Sequence, residues 1–170
     1  MIKRCLLALA VATIGCVGFT ACNDDNDDNM NVAVTPQYVD ALKAMYPQAR
    51  ITDWDAYPPY YVAECVIDGS ETDVWFGPDA AVWAMTETDI GMSPLVLPDA
   101  VQSAFNTTEY AGAAIEDIEK FERPDVTFYV IECEPTHGAD VDVYITEDGY
   151  VTQVLTDTDA VIYPNTPIGL

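Results

Sequence analysis

Positively charged side chains are scarce in this chain of 170 residues, which has six lysines and arginines against 29 aspartates and glutamates. The formal net charge is −23. Nucleic-acid binding requires clusters of Lys and Arg that neutralise phosphates, and the sequence has none, so nucleic acid is excluded as a partner. Anionic lipid headgroups are repelled for the same reason. We therefore expect a protein that prefers cationic or neutral partners.

Histidine is almost absent, since His137 is the single one in the sequence. A metal site built from several histidines is therefore excluded. The sequence also lacks the G-x-S-x-G elbow of serine hydrolases and any glycine-rich phosphate loop. Cys133 could act as a nucleophile with His137 as its base, but the strand pattern places Cys133 on a buried face and His137 in a loop. We predict a protein that is not an enzyme and that uses no cofactor or metal.

Residues 1–21 are typical of a bacterial export signal. Lys3 and Arg4 are followed by an apolar stretch up to Phe19 that is too short for a comfortable membrane span. The sequence FTAC at 19–22 resembles the lipobox of bacterial lipoproteins. This resemblance implies that Cys22 becomes the lipidated N-terminus, so that contact with a membrane occurs through the lipid anchor only. An ordinary signal peptide followed by a chance cysteine is the alternative.

Residues 22–34 are predicted to form a polar, acidic tether. The sequence NDDNDDN at 23–29 resembles the surface-export signal of Bacteroides-type lipoproteins. The resemblance implies an outer-membrane lipoprotein at the cell surface, with the periplasmic face as the alternative. A calcium loop of the EF-hand type is not supported, because the run lacks the required Gly and Glu.

The rest of the chain contains an internal repeat. The sequence YVAEC at 61–65 recurs as YVIEC at 129–133, DVWF at 73–76 as DVYI at 142–145, and TETD at 86–89 as TDTD at 156–159. The offset between the copies drifts from 68 to 70 residues, which is hard to obtain by chance. We predict one unit at 35–93, a second at 94–159, and a C-terminal tail at 160–170.

Each unit is predicted to be a helix followed by four antiparallel strands, giving an α+β fold of two tandem helix-plus-four-stranded-sheet repeats. Thr35 would cap the first helix with Pro36 in its first turn, and Pro98 would begin the second helix. Alternating apolar residues and turn signals such as Asp68-Gly69 define the strands. They are expected at 51–56, 60–67, 71–76 and 81–86, and at 115–121, 127–134, 140–145 and 150–156.

Strand alternation also assigns the two faces of the sheet. Val74, Phe76, Ile131 and Cys133 would lie in the core under the helices. The opposite, outward face would carry acids and aromatic side chains in both units. Its members are Glu64, Asp73, Trp75, Glu132, Asp142 and Tyr144. Exposed aromatic residues on a rigid sheet suit protein binding, and a merely solvated face is the alternative.

The two units resemble the PepSY-like lipoprotein family of Bacteroidetes. The likeness rests on ARITDWD at 49–55, YVAE at 61–64, DVWF at 73–76, TETDI at 86–90 and LPDAV at 97–101. Such proteins are similar in fold to the β-lactamase inhibitor protein, whose concave sheet surface binds its target enzyme. The resemblance implies that fold and a binding role, and it transfers no catalytic residue. Ala80 departs from the pattern, because a turn glycine is expected there.

Two cysteines, Cys65 and Cys133, remain after the N-terminal segment and the lipidation site are set aside. They occupy equivalent positions four strands apart, roughly 19 Å in a continuous sheet. A disulfide requires Cα atoms within about 7 Å. We therefore predict two buried free thiols.

The leading functional hypothesis is an envelope-anchored binding lipoprotein whose outward face docks an unknown protein or peptide, with enzyme inhibition as one such role. A small-ligand or glycan-binding lipoprotein that uses Trp54, Trp75, Trp83 and nearby tyrosines is the second hypothesis. A structural envelope protein is the third. A deep apolar pocket would favour the second hypothesis, and a broad sheet face would favour the first.

Overall fold

The computed structural model describes residues 34–79, 81–156 and 160–169. The signal segment, Cys22 and the tether up to residue 33 lie outside these ranges, as do Ala80, residues 157–159 and Leu170. The predictions made for them are therefore not addressed by the fold. Within the described ranges, no helix has the length and apolar character needed to cross a membrane.

The described residues form two α-helices, one 3₁₀ helix and eight strands. Helix α1 spans Pro36–Met45, a 3₁₀ helix spans Pro94–Val96, and α2 spans Asp99–Phe105. The first four strands are β1 (Arg50–Tyr57), β2 (Tyr60–Ile67), β3 (Ser70–Phe76) and β4 (Trp83–Asp89). The last four are β5 (Ala114–Glu122), β6 (Thr127–Glu134), β7 (Val141–Thr146) and β8 (Val151–Thr156).

All eight strands belong to one antiparallel sheet in the order β1 to β8, so that each strand pairs with the next one along the chain. Short turns make this meander possible. In the β2–β3 turn, for example, Asp68 and Gly69 have φ values of 52° and 97°, which a tight hairpin requires. Pairing of β4 with β5 joins the two halves edge to edge. The predicted α+β class is thus confirmed.

Most element boundaries lie within one residue of the predicted ones. The larger difference is in β4, which ends at Asp89 rather than at 86 and also begins later. Strand β4 begins at Trp83 rather than Ala81, because Ala81 has a φ of 53° and belongs to the turn in which Gly77 N–H donates to Val82 O at 2.8 Å. Pro98 precedes α2 as its N-cap instead of occupying its first helical position.

Both helices pack on the same face of the sheet, which we call the helix face. Helix α1 buries Tyr38 and Leu42, and α2 buries Val101 and Phe105. Under α1 lie Ala63, Cys65, Val74 and Phe76 of the sheet. Under α2 lie Ile118, Tyr129, Ile131, Cys133, Val141, Val143 and Ile145. The core predicted from strand alternation is therefore confirmed.

The two cysteines are buried and free, as predicted. The Cys65 thiol donates to Thr72 O at 3.1 Å. Burial raises the pKa of Cys65 to about 11 and that of Cys133 to about 12, with nearby carboxylates adding to both shifts. Both thiols therefore stay protonated at neutral pH and behave as small apolar side chains.

Candidate binding face

The face opposite the helices has its own apolar cluster, over which the C-terminal residues 160–169 pack. We call this face the tail face and these residues the tail. The buried members of the cluster are Val62, Trp75, Met85, Phe121, Phe128, Val130, Tyr144, Ile162 and Ile168. The last two belong to the tail, so a segment without regular secondary structure completes this side of the protein.

A row of carboxylates crosses the first half of the tail face. In strand register, Asp53 of β1 lies opposite Glu64 of β2, Glu64 lies opposite Asp73 of β3, and Asp73 lies opposite Glu87 of β4. We call these four residues the first acidic row. Like charges directly opposite each other in a sheet are destabilising.

A second acidic row occupies the equivalent place in the other half of the sheet. Asp117 of β5 lies opposite Glu132 of β6, and Glu132 lies opposite Asp142 of β7. All six residues predicted for the outward face thus lie on the tail face. Asp53, Glu87 and Asp117 join them. Asp53 and Asp117 follow irregularities in strand register, which alternation within a single strand does not reveal. Glu87 lies beyond the predicted end of its strand at 86.

The first acidic row is strained electrostatically at neutral pH. The pKa of Glu64 is raised to about 7, mainly by burial, then by a hydrogen bond with Asp55 and by the charges of Asp73, Asp55 and Asp53. The pKa of Asp73 is raised to about 6 by burial and by the charges of Asp55 and Glu71. Half-buried carboxylates that repel each other in this way bind protons more tightly than isolated ones.

The solvent exposure expected for Trp75 and Tyr144 is wrong. They are 2% and 3% exposed. Strand alternation placed them correctly on the side away from the helices, but the tail folds back over that side. Tyr163 contacts the rings of Tyr57, Tyr60 and Trp75, with centroid distances of 6.4, 6.4 and 5.8 Å.

Arg123 fastens the tail to the sheet. Its Nη1 donates to Thr166 O and its Nη2 to Tyr163 O, both at 2.8 Å. The guanidinium also lies 5.0 Å from the centre of the Phe128 ring, a favourable cation–π distance. One of the few cations of the chain is therefore used to hold backbone carbonyls, and burial lowers its pKa.

The three tryptophans do not converge on one surface. Trp54 and Trp83 are half-buried against the cluster under α1, whereas Trp75 lies beneath the tail. They therefore do not form the aromatic platform that the glycan-binding hypothesis needs.

An open cleft of about 450 Å³ lies between the β5–β6 turn and the β7–β8 turn, and most of its lining side chains are acidic or carry a hydroxyl group. The lining residues are Asp125, Val126, Thr127, Thr146, Glu147, Asp148 and Tyr150.

Within the described ranges, no group of three or more His, Cys, Asp or Glu side chains is arranged to hold a metal ion. His137 is exposed in the loop between β6 and β7, whereas Cys133 is buried under α2. The two residues therefore do not form an accessible nucleophile–base pair.

Most of the sheet lies in a part of the chain that matches a known family. Residues 59–153 match the family model described as "Putative beta-lactamase-inhibitor-like, PepSY-like". The chain belongs to this PepSY-like family. Its match covers β2 to β7 and the first half of β8. No curated protein gives a significant match.

Solved structures of three Bacteroides proteins have the same fold. A BLIP-like protein from Bacteroides fragilis is 34% identical, with a TM-score of 0.73 over 83% of this chain and 100% of that one. A DUF2874 family protein from Bacteroides uniformis is 27% identical, with a TM-score of 0.67 over 72% and 89% of the two chains. A protein from Bacteroides eggerthii, described among "putative periplasmic proteins", is 30% identical, with a TM-score of 0.67 over 74% and 91%.

Proposed function

We propose that this PepSY-like protein is a non-enzymatic binding protein of the bacterial envelope that docks a basic protein or peptide segment on the tail face. The observation that carries the proposal is the first acidic row. Glu64 and Asp73 face each other across neighbouring strands, and both have raised pKa values. A sheet that needed only to fold would gain stability from neutral residues there.

A cationic partner would relieve this repulsion. A Lys or Arg side chain placed between Glu64 and Asp73 would favour their charged forms and lower both pKa values. The groups that shift these pKa values are all acidic, so the local field attracts cations. Perturbed titratable groups on an accessible face are common at functional sites. The sequence-based preference for cationic partners supports the same conclusion.

Each half of the sheet carries one pair of facing carboxylates, as expected if the two halves are copies of one unit. The Glu64–Asp73 pair of β2 and β3 has its counterpart in the Glu132–Asp142 pair of β6 and β7. The order of one helix and four strands also occurs twice along the chain. We infer tandem units at 35–93 and 94–159, which together would present both rows to one elongated partner.

We further propose that Cys22 anchors the protein to the outer membrane, with residues 22–34 as the tether, and that the domain faces the cell surface or the periplasm. The lipobox-like sequence supports the anchor, and the description of the Bacteroides eggerthii relative is consistent with an envelope location. The BLIP-like description of another relative makes enzyme inhibition one form that partner binding could take.

Carbodiimide cross-linking in isolated envelopes tests the proposal, because this reagent joins a carboxylate to a neighbouring lysine without a spacer. Three proteins are compared: the wild type, the row variant Glu64→Gln, Asp73→Asn, and the control variant Asp40→Asn, Glu109→Gln. The control lowers the negative charge equally at two exposed positions outside the sheet.

The proposal predicts cross-links from Glu64 or Asp73 to a lysine of a partner, retained in the control variant and lost in the row variant. Capture of the same partners by all three proteins would contradict it, because binding would then depend on overall charge or on another surface.

A further inference from the structure

The tail is seated on the sheet in the manner of a bound peptide. Residues 160–169 belong to no strand and pair with no edge of the sheet. Ile162 and Ile168 are 8% and 4% exposed, and Tyr163 stands between them in the ring cluster with Trp75. Buried apolar anchors on a segment without regular secondary structure, separated by exposed positions, are characteristic of peptides in grooves.

The hydrogen bonds described for the tail are either internal to it or donated by a side chain on the sheet side, as they are for a bound peptide. Thr166 N–H donates to Tyr163 O at 2.9 Å, and Tyr163 N–H donates to Thr166 Oγ1 at 2.9 Å, which closes a turn within the tail. From the sheet side, Arg123 contributes both of its Nη groups to tail carbonyls. Side-chain anchors and carbonyl contacts of this kind can be made equally well by a segment of another chain.

The seat of the tail is formed mainly by aromatic and branched side chains, and we call it the tail groove. Its members are Tyr57, Tyr60, Val62, Trp75, Phe128, Val130 and Tyr144. Apart from Arg123, which binds backbone carbonyls of the tail, the groove contains no Lys, Arg, His, Asp or Glu side chain. The tail segment AVIYPNTPIGL at 160–170 also has none of these residues, in a chain of net charge −23. The chemistry of the tail groove therefore suits an uncharged, apolar peptide.

The fit between tail and groove leaves two polar atoms unsatisfied. Trp75 Nε1 and Arg123 Nε are buried, and neither has a hydrogen-bond partner among the described residues. Both belong to residues that contact the tail. A buried N–H without a partner costs about 1–3 kcal/mol. A peptide that offered carbonyl oxygens to these two donors would therefore have an advantage over the tail.

We propose that the tail groove is a binding site for an uncharged peptide segment that carries aliphatic and aromatic anchors on either side of a turn, and that the tail occupies it in the free protein. Displacement of the tail exposes the aromatic side chains, so the tail both protects the groove and limits access to it. The site lies beside the acidic rows but uses none of their carboxylates. Its ligand therefore differs in charge from the proposed basic partners.

Peptide binding in trans tests this site. The probe is an acetylated, fluorescein-labelled peptide with the sequence of residues 160–170, added to the full chain at high salt, which suppresses charge effects. The release variant is Ile162→Asp, Ile168→Asp. The control variant is Val161→Asp, Asn165→Asp, which adds the same charge to the same segment at exposed positions.

Fluorescence anisotropy should show that the release variant binds the peptide at least ~10-fold more tightly than the control variant or the wild type, in which the attached tail competes. A peptide in which the positions of Tyr163 and Ile168 are replaced by Ala and Asp should not bind. A folded release variant that fails to bind the peptide would overturn the proposal.

Hydrogen exchange of the wild-type protein decides the question if the release variant does not fold. The amides of Tyr163 and Thr166 are compared with strand amides of β6 and β7. A tail that opens locally will exchange at least ~100-fold faster than these strands. If the tail amides exchange only as slowly as the strand amides, the tail is an integral part of the core and the proposal is wrong.

Discussion

The phenol ring of Tyr163 lies 5.8 Å from the indole ring of Trp75, centroid to centroid, with their planes at 70°. This edge-to-face contact joins a residue near the end of the chain to the third strand of the sheet. It explains why Trp75 is buried although it faces away from both helices. The sheet is therefore covered on both sides, by helices on one and in part by the tail on the other.

Replacement of the aromatic residues under the tail should be costly. Trp75→Ala or Tyr144→Ala removes a buried ring, and such truncations typically lower the free energy of unfolding by about 3–5 kcal/mol. Thermal unfolding should show a melting temperature lowered by roughly 10 °C. Tyr150→Ala is the control, since Tyr150 is 62% exposed and should cost less than about 0.5 kcal/mol. Equal melting temperatures for all three variants would mean that the tail does not cover this face.

The raised pKa of Glu64 predicts a dependence of stability on pH. Because its pKa rises from the ordinary 4.5 to about 7 on folding, the folded state binds the proton more tightly. The resulting stabilisation is fully present below the ordinary pKa and is lost as the pH rises through about 7. Asp73, with a pKa raised to about 6, acts in the same direction.

Glu64→Gln should therefore be more stable than the wild type at pH 8, by on the order of 1 kcal/mol after allowance for solvent screening. Its stability should also fall less between pH 5 and pH 8. Urea unfolding at several pH values measures both effects. Glu134→Gln makes the same chemical change at an exposed position of β6. If Glu64→Gln changes the pH dependence of the unfolding free energy no more than Glu134→Gln does, the carboxylates of the first acidic row do not repel each other appreciably.

The two thiols should be unreactive in the folded protein. Their pKa values, raised to about 11 for Cys65 and about 12 for Cys133, leave almost no thiolate at pH 8. Iodoacetamide should modify neither thiol in the native state and both after denaturation without reductant, as read by peptide mass spectrometry. A disulfide-linked peptide pair containing both residues would contradict the strand order.

Cys22 should carry the lipid anchor. Metabolic labelling with a clickable fatty acid should mark the wild type, and Cys22→Ala should remove the label and leave an uncleaved precursor. Cys16→Ala tests whether the effect is specific to position 22. Labelling that is unchanged by Cys22→Ala would show that the lipobox-like sequence is not used.

Local sequence patterns predicted the strands well, because each strand is marked by its own alternation and by the turn that follows it. Strands β2 and β6 occupy the predicted ranges. The side of the sheet on which Trp75 and Tyr144 lie also follows from alternation. Alternation does not reveal what covers a face, however. That depends on the tail, which has no helical or strand period and reaches the sheet only through long-range contacts.

A signal for the tail was nevertheless present in its composition. A solvated C-terminal segment in so acidic a chain would be polar, whereas residues 160–170 have no charge and include Ile162, Tyr163 and Ile168. Such a segment needs an apolar surface. The first acidic row was predicted only in part, because the position of Asp53 opposite Glu64 depends on an irregularity in the register of β1.

Proton release on binding a basic peptide tests most directly whether the first acidic row binds cations. Isothermal titration calorimetry with hexalysine at pH 7, in two buffers that differ in ionisation enthalpy, gives both the affinity and the number of protons released. Glu64, whose pKa is raised to about 7, keeps part of its proton population under these conditions. The wild type and the control variant Asp40→Asn, Glu109→Gln should therefore release protons when they bind the peptide. The row variant Glu64→Gln, Asp73→Asn should release none and bind at least ~10-fold more weakly. Equal affinity and equal proton release for all three proteins would contradict the account.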